Sequence, residues 1–419
     1  MEPGRKTVAV IGAGMVGVCT AAALQQRGHD VFIIDPNPPG DGASFGNAGC
    51  FNPSSMVPIA GPGTLKKVPG YLRDPLGPLA IRWRHLPALA PWLIRYIVAG
   101  TPARIEKAAA ALHALNGNSL EMLMPLVKHA GAESLVKRDG ILIVYRSEAR
   151  WQADARAWDL RRRHGIAWEE LSADELRQFD PSLSRDLLRG KWVQGNGHSV
   201  NPGDLVKALA NGVLADGGRL IRRRATGFRL DGARLRAVQT PEGDLAADAA
   251  VIATGAHSRT LAALLGDTVP LETERGYHLM IRDPEAMPRV PTTDADYNFV
   301  ATPMDEGLRL AGTVELAGLD APPNWRRSTI LLDRATRLCP ALSASYPTER
   351  TSMWMGHRPS LPDSLPVLGP SRRSPDVIHA FGHGHTGMTA GPFTGRIVAD
   401  LVSGKPPPID LSPFRPDRF

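Results

Sequence analysis

The chain has 419 residues, 43% of them hydrophobic, and a formal charge of +7 dispersed along its length. That length exceeds one simple core and suggests two domains able to enclose a large ligand. The basic triplets at 161–163 and 222–224 carry no interleaved aromatics, which argues against nucleic acid as a partner, whereas an anionic substrate or membrane surface suits the charge.

Residues 7–11 read as a short buried strand, followed at once by Gly12-Ala13-Gly14-Met15-Val16-Gly17, helix-forming residues 21–26 and Gly28 as the helix end. A second strand over 31–34 closes on Asp35-Pro36. Strand, glycine turn, helix and strand within about 30 residues is the context a dinucleotide fingerprint requires. Gly12 supports the tight turn, Gly14 lets backbone approach a pyrophosphate, Gly17 permits close helix–strand contact, and Asp35 is placed for ribose hydroxyls. These features do not separate NAD from FAD.

From 36 to about 70 the chain is rich in Gly, Pro, Asn and Ser and reads as an irregular functional crossing. Residues 79–100 are too interrupted by Arg and Pro to span a bilayer. Their Trp83, Trp92, Tyr96 and arginines suit either helices covering the second domain or a segment lying on a membrane surface. A helical stretch over 102–130, a strand over 140–145, a helix over 148–163 and a segment at 171–179 follow. A helix over 203–215 has Pro202 near its start, with a strand at 219–223 beyond. A buried strand over 249–253 closes on Thr254-Gly255-Ala256, and 274–314 is β-rich. The segment 354–369 reads as too punctuated by Gly and Pro for a regular element, and a strand over 376–381 and a helix over 386–402 end the series. Cys19, Cys50 and Cys339 form no Cys-x-x-Cys pair, so neither a disulfide framework nor a zinc site is indicated. With no signal-peptide pattern, a cytoplasmic location is expected.

Three further segments carry a resemblance. With Ser44-Phe45-Gly46-Asn47-Ala48-Gly49, Ala253-Thr254-Gly255-Ala256 and Gly382-His383-Gly384-His385-Thr386-Gly387, the chain resembles the D-amino-acid oxidase superfamily of flavoproteins over almost its whole length. It is most similar to the bacterial D-amino-acid dehydrogenases, which share a Ser-Phe-x-Asn-Ala-Gly segment. The resemblance implies an α/β, Rossmann-like FAD-binding domain made of 1–50, 199–262 and 357–419, interleaved with an α+β substrate domain of mixed β-sheet made of 51–198 and 263–356. It implies that Gly12 to Gly17, Asp35 and Pro36 hold the ADP half of FAD, and that Ser44 to Gly49, Thr254 and Gly255 pass near the pyrophosphate and flavin. It also implies a helix whose N-terminus, with Thr386, Gly387, Met388 and Thr389, faces the flavin. A helix N-terminus there stabilises the negative charge of reduced flavin. Relatives with covalent flavin use a His after the second strand or a Cys near the C-terminus; here Ser44-Phe45-Gly46-Asn47 and the absence of Cys beyond Cys339 point to non-covalent FAD. His383 and His385 have no nearby acid or Cys to complete a metal site and read as turn residues at the flavin edge.

Gly356-His357-Arg358-Pro359 resembles the family's Gly-x-Arg-Pro segment, which implies that Arg358 binds the substrate carboxylate. A guanidinium suits that role through two parallel hydrogen bonds. Gly276-Tyr277-His278 resembles a Gly-Tyr-Ser segment, with Tyr277 a candidate carboxylate donor or flavin cover. His278 departs from the pattern; it is a candidate to accept a proton from the substrate ammonium, or else a sheet histidine with its hydrogen bonds satisfied. The implied reaction is oxidative deamination of a small D-amino acid, by hydride transfer from Cα to flavin N5. Alternatives are a cyclic or secondary amino acid (D-proline, hydroxy-D-proline, sarcosine) or glycine, a nicotinamide dehydrogenase, and a non-catalytic flavin-binding subunit of a multi-subunit dehydrogenase. The acceptor is a quinone or carrier protein for a dehydrogenase, which suits the inner face of the cell membrane, or oxygen for an oxidase.

Overall fold

The computed structural model describes residues 4–60, 77 and 79–419, so the expected irregular crossing beyond residue 60 lies outside the described residues. Thr7–Ile11 is the centre of a six-stranded sheet. Asp30–Ile34 and then Arg219–Ile221 lie on one side of it, Ala249–Ile252 and then Val377–Phe381 on the other, all parallel. Val367–Pro370 closes the edge antiparallel. The central strands are apolar on both faces because both faces are covered. Val8 and Val10 join a core with helices Met15–Gln26, Pro202–Ala215 and Gly387–Val402, while Ala9 and Ile11 face Ser258–Leu264 and the small sheet of Gly227–Asp231, Arg234–Gln239 and Leu245–Ala246.

A second, nine-stranded mixed sheet runs Thr351–Ser360, Glu272–Ile281, Gly307–Leu316, Phe299–Met304, Thr292–Asp294, Ile141–Tyr145, Arg189–Val193 and Glu169–Ser172, with Leu79–Ile81 added to Gly307–Leu316. Helix Arg326–Leu338 covers one face through Leu331, Ala335 and Leu338.

Two expectations change. The segment 354–369 is not irregular: Thr351–Ser360 is a ten-residue strand. It lies at the sheet edge, where the missing N–H of Pro359 is tolerated. The stretch 102–130 is two helices, Pro102–Asn116 and Ser119–His129, separated at Gly117-Asn118. Within 79–100, helix Leu86–Ala99 packs Leu89 and Trp92 on Leu316, yet leaves Ile94, Ile97 and Val98 exposed, as is Trp83 before it. No helix among the described residues is long and apolar enough to cross a membrane.

Helices Met15–Gln26 and Gly387–Val402 run parallel and in contact because their facing residues are small. A Cβ on Gly391 would sit 3.0 Å from Met15 Cγ, and one on Gly395 only 2.6 Å from the Cys19 carbonyl oxygen. Gly395→Val should therefore force the helices apart and cost about 1–3 kcal/mol, read as a lower thermal midpoint. Gly404→Ala, a left-handed position with open space around it, should lose less, by backbone strain alone.

Candidate functional site

The parallel helix pair brings two helix N-termini together at the carboxyl ends of the parallel strands. Neither has a side-chain cap or an acidic residue in its first turn. The Met15 amide is met by Ser44 Oγ at 3.1 Å. The remaining first-turn N–H groups have no intrahelical acceptor, so both ends favour an anion. The three fingerprint glycines differ in their surroundings. Gly12 adopts φ +113° and its Cβ would strike the Ala253 carbonyl oxygen at 2.4 Å; on Gly17 it would strike the Gly12 carbonyl oxygen at 1.9 Å. Gly14 alone faces space, its nearest neighbour being Ser44 Oγ at 3.5 Å. That open cradle fits a pyrophosphate against bare backbone.

Asp35 stands beside this turn, accepting from the Ala13 and Asn37 amides at 2.8 Å each, and Pro36 follows it. Thr254 pairs with Ser258 at 2.9 Å, and Gly255, at φ +56°, has no neighbour within 4 Å of its Cβ position. The turn Gly382-His383-Gly384-His385 leads directly into the helix, which begins at Gly387 with Thr386 as its N-cap residue. Thr389 Oγ1 accepts from the Asn52 amide at 3.0 Å. His383 turns inward to Thr394 Oγ1 at 3.0 Å, and burial pushes it down to about 3. His385 opens onto a cleft shared with Ser55, Ile59 and Ser360; desolvation and then Arg358 hold it at about 4. Both histidines line that cleft, and no cluster of metal ligands occurs among the described residues.

The 44–49 loop is fixed from the other side by the large sheet. Arg309 Nη1 donates to the carbonyls of Phe45 and Asn47 at 3.0 and 2.7 Å, Thr302 Oγ1 donates to that of Ala48 at 2.9 Å, and His278 Nδ1 to that of Gly46 at 3.1 Å. Asn47 Oδ1 also accepts from the Gly49 amide at 2.9 Å. Four successive carbonyls thus face the sheet. Cys50 follows with its thiol directed at the Ala48 carbonyl, and burial raises it to about 12. Neither Arg309 nor Thr302 stood out in the sequence. The available signal was an Arg within the apolar run Gly307-Leu308-Arg309-Leu310, a buried cation just after Asp305 and Glu306, whose charges favour its protonated form.

Strand alternation decides the substrate-side candidates. Arg358 lies with its guanidinium over Gly276, whose Cβ would be 2.4 Å from Arg358 Cζ. Only a weak 3.4 Å bond to the Thr313 carbonyl engages it, and it forms no ion pair among the described residues. Burial lowers its pKa, with buried Glu274 acting in the opposite sense; Glu274 is itself raised by burial and held by Ser360 Oγ at 2.7 Å. His278 shares this face, but Tyr277 is turned to the other. There the Tyr277 hydroxyl donates to Glu315, which also pairs with Arg275 at 3.2 Å. The structure does not bring Tyr277 to Arg358. His278, pushed down to about 3 by burial and then by Arg309, is a poor acceptor for an ammonium proton. It takes the other role open to it, a sheet histidine with a satisfied donor.

A family model for FAD dependent oxidoreductases matches residues 7–401. A D-amino-acid oxidase of Bradyrhizobium diazoefficiens is 48% identical over the whole of both chains, and a D-amino acid dehydrogenase of Paramagnetospirillum magneticum is 33% identical over 98% of each. The crystal structure of glycine oxidase from Geobacillus kaustophilus superposes with a TM-score of 0.76 at 24% identity, covering 99% of each chain, and so shares the fold.

The buried imidazoles give a pH dependence. His278 and His383 take up protons near 6.5 in the unfolded chain but only near 3 in the folded one. Stability is therefore full above about 6.5 and falls as pH drops below it, by about 1.4 kcal/mol per pH unit for each histidine. His383→Gln should reduce the slope of unfolding free energy against pH between 6 and 4 by about one proton, measured by urea titration.

Proposed function

This chain belongs to the FAD-dependent oxidoreductase family, and from that premise we propose that it oxidises a small D-amino acid, with Arg358 holding the carboxylate. The observation that carries the reading is a guanidinium facing the cleft side of the sheet, near buried Glu274 but in no salt bridge among the described residues, close to His385 at the paired helix ends. Bound FAD would supply the two-electron redox chemistry that converts the amino acid to an imino acid, which water hydrolyses to a 2-oxo acid.

The chain's own residues bind and orient. Gly12 to Gly17 with Asp35 and Pro36 are assigned to the ADP half, and Ser44 to Gly49, Thr254 and Gly255 to the centre of the cofactor. The amides of Gly387, Met388 and Thr389 are assigned to the flavin's electron-rich edge, where a helix N-terminus contributes about 0.3–1 kcal/mol, rising to about 2 when partly buried. Arg358 fixes the carboxylate by two parallel bonds, which orients Cα as well as holding charge. The D configuration is supported by the names of the two bacterial relatives. We keep the division into an FAD-binding domain (1–50, 199–262, 357–419) and a substrate domain (51–198, 263–356) as part of this reading.

For the electron acceptor, we propose a quinone or carrier protein at the inner membrane face. Support comes from exposed Trp83, Ile94, Ile97 and Val98 alongside exposed Arg84 and Arg95. The oxidase name of the 48% relative supports oxygen instead. Reoxidation of substrate-reduced enzyme by air and by a soluble quinone analogue, timed side by side, separates the two.

Arg358→Ala should lower kcat/KM for D-alanine on the order of 100-fold or more while the purified protein keeps its flavin. Arg358→Lys should recover only part of the loss, because one ammonium cannot reproduce the fork. An unchanged KM in both variants would remove the carboxylate role. A panel of D- and L-amino acids, D-proline, sarcosine and glycine, assayed by anaerobic flavin bleaching, tests the substrate class.

A further inference from the structure

Gly276 and Gly356 face each other across neighbouring antiparallel strands. Together they leave a patch of bare backbone on the sheet face that carries Arg358. The guanidinium of Arg358 lies over one glycine and the indole of Trp354 over the other; a Cβ on Gly356 would sit 1.8 Å from the indole ring. The same ring is pressed against the 44–49 loop, since a Cβ on Gly46 would lie 2.0 Å from it. His278 stacks on it with ring centroids 5.3 Å apart and an interplanar angle of 22°, while its Nδ1 is tied to the Gly46 carbonyl. Trp354 is therefore wedged between loop and sheet yet only partly buried.

We propose that Trp354 is the specificity-determining residue of this site, a fixed wall that limits the substrate side chain to a few heavy atoms. The inference rests on the carboxylate role of Arg358. The guanidinium over Gly276 and the indole over Gly356 stand on glycines paired across the two strands, about 5 Å apart at Cα. A carboxylate on Arg358 leaves that span for Cα and a short side chain, and an aromatic ring would meet the indole. His278 is then a positioning residue: it supports the wall and anchors Gly46, which accounts for an imidazole at a buried position with no chemistry to perform.

The test uses the flavin-loaded enzyme and two variants, Trp354→Ala and Trp354→Phe, with two readouts. One is the ratio of kcat/KM for D-phenylalanine to that for D-alanine. The other is the ratio of Kd for benzoate to Kd for acetate, read from perturbation of the flavin spectrum without turnover. The wild type should favour the small partner in both. Trp354→Ala should shift both ratios toward the bulky partner on the order of tenfold or more, through KM rather than kcat, with Trp354→Phe in between. Trp354→Phe keeps an aromatic ring against His278 and decides the matter if the alanine variant does not fold. Ratios unchanged in the variants, or a wild type that prefers the bulky partners, overturn the proposal. If no amino acid bleaches the wild-type flavin, the assignment of the reaction falls, and the benzoate and acetate titrations still decide Trp354.

Discussion

The arrangement depends on the side-by-side packing of helices Met15–Gln26 and Gly387–Val402. Two helices aligned in parallel set like partial charges against each other, and little relieves this, since neither first turn has an acid or a side-chain cap from its own N-cap residue and Ser44 Oγ answers only the Met15 amide. Glycines at 391 and 395 nonetheless draw the helices to contact distance. A charge arrangement unfavourable in isolation becomes a receptor once a negatively charged group lies across the two ends. The fold thus holds ready two adjacent helix ends whose electrostatics an anion completes.

The second joint is the 44–49 loop. It begins at the glycine turn, where Ser44 meets the Met15 amide, and its four carbonyls are held by Arg309, Thr302 and His278 from the large sheet. One short segment therefore registers the cofactor sheet against the face that bears Arg358 and Trp354. Arg309 remains a cation at neutral pH although burial lowers it to about 10, so its hold on two carbonyls is charge-assisted.

The half of the site formed by near neighbours in sequence was legible beforehand. Strand, glycine turn, helix and acid lie within 35 residues, and each has a local physical reason. The helix after Gly387 was legible too, within one residue of its start. Face and partner in the large sheet were not. Alternation says that Tyr277 and His278 point oppositely, but not which one meets the cleft; that depends on strand pairings with residues 307–316 and 351–360. The glycine and proline that disguised Thr351–Ser360 as irregular chain have tertiary reasons: Gly356 makes room for an indole, and Pro359 sits on an edge.

The cofactor sheet interleaves the ends of the chain: Thr7–Ile11 pairs with Ala249–Ile252, which pairs with Val377–Phe381. Lys6 Nζ donates to the Val402 carbonyl at 2.8 Å, and Arg27 pairs with Asp400. During synthesis the glycine turn emerges well before the helix at Gly387–Val402 that packs beside it. A ribosome-bound chain that stops before Gly387 carries the whole fingerprint and only one of the two helix ends. Closure of the site is therefore a late, non-local folding event, and until then the face of strand 7–11 that bears Val8 and Val10 lacks one of its covering helices.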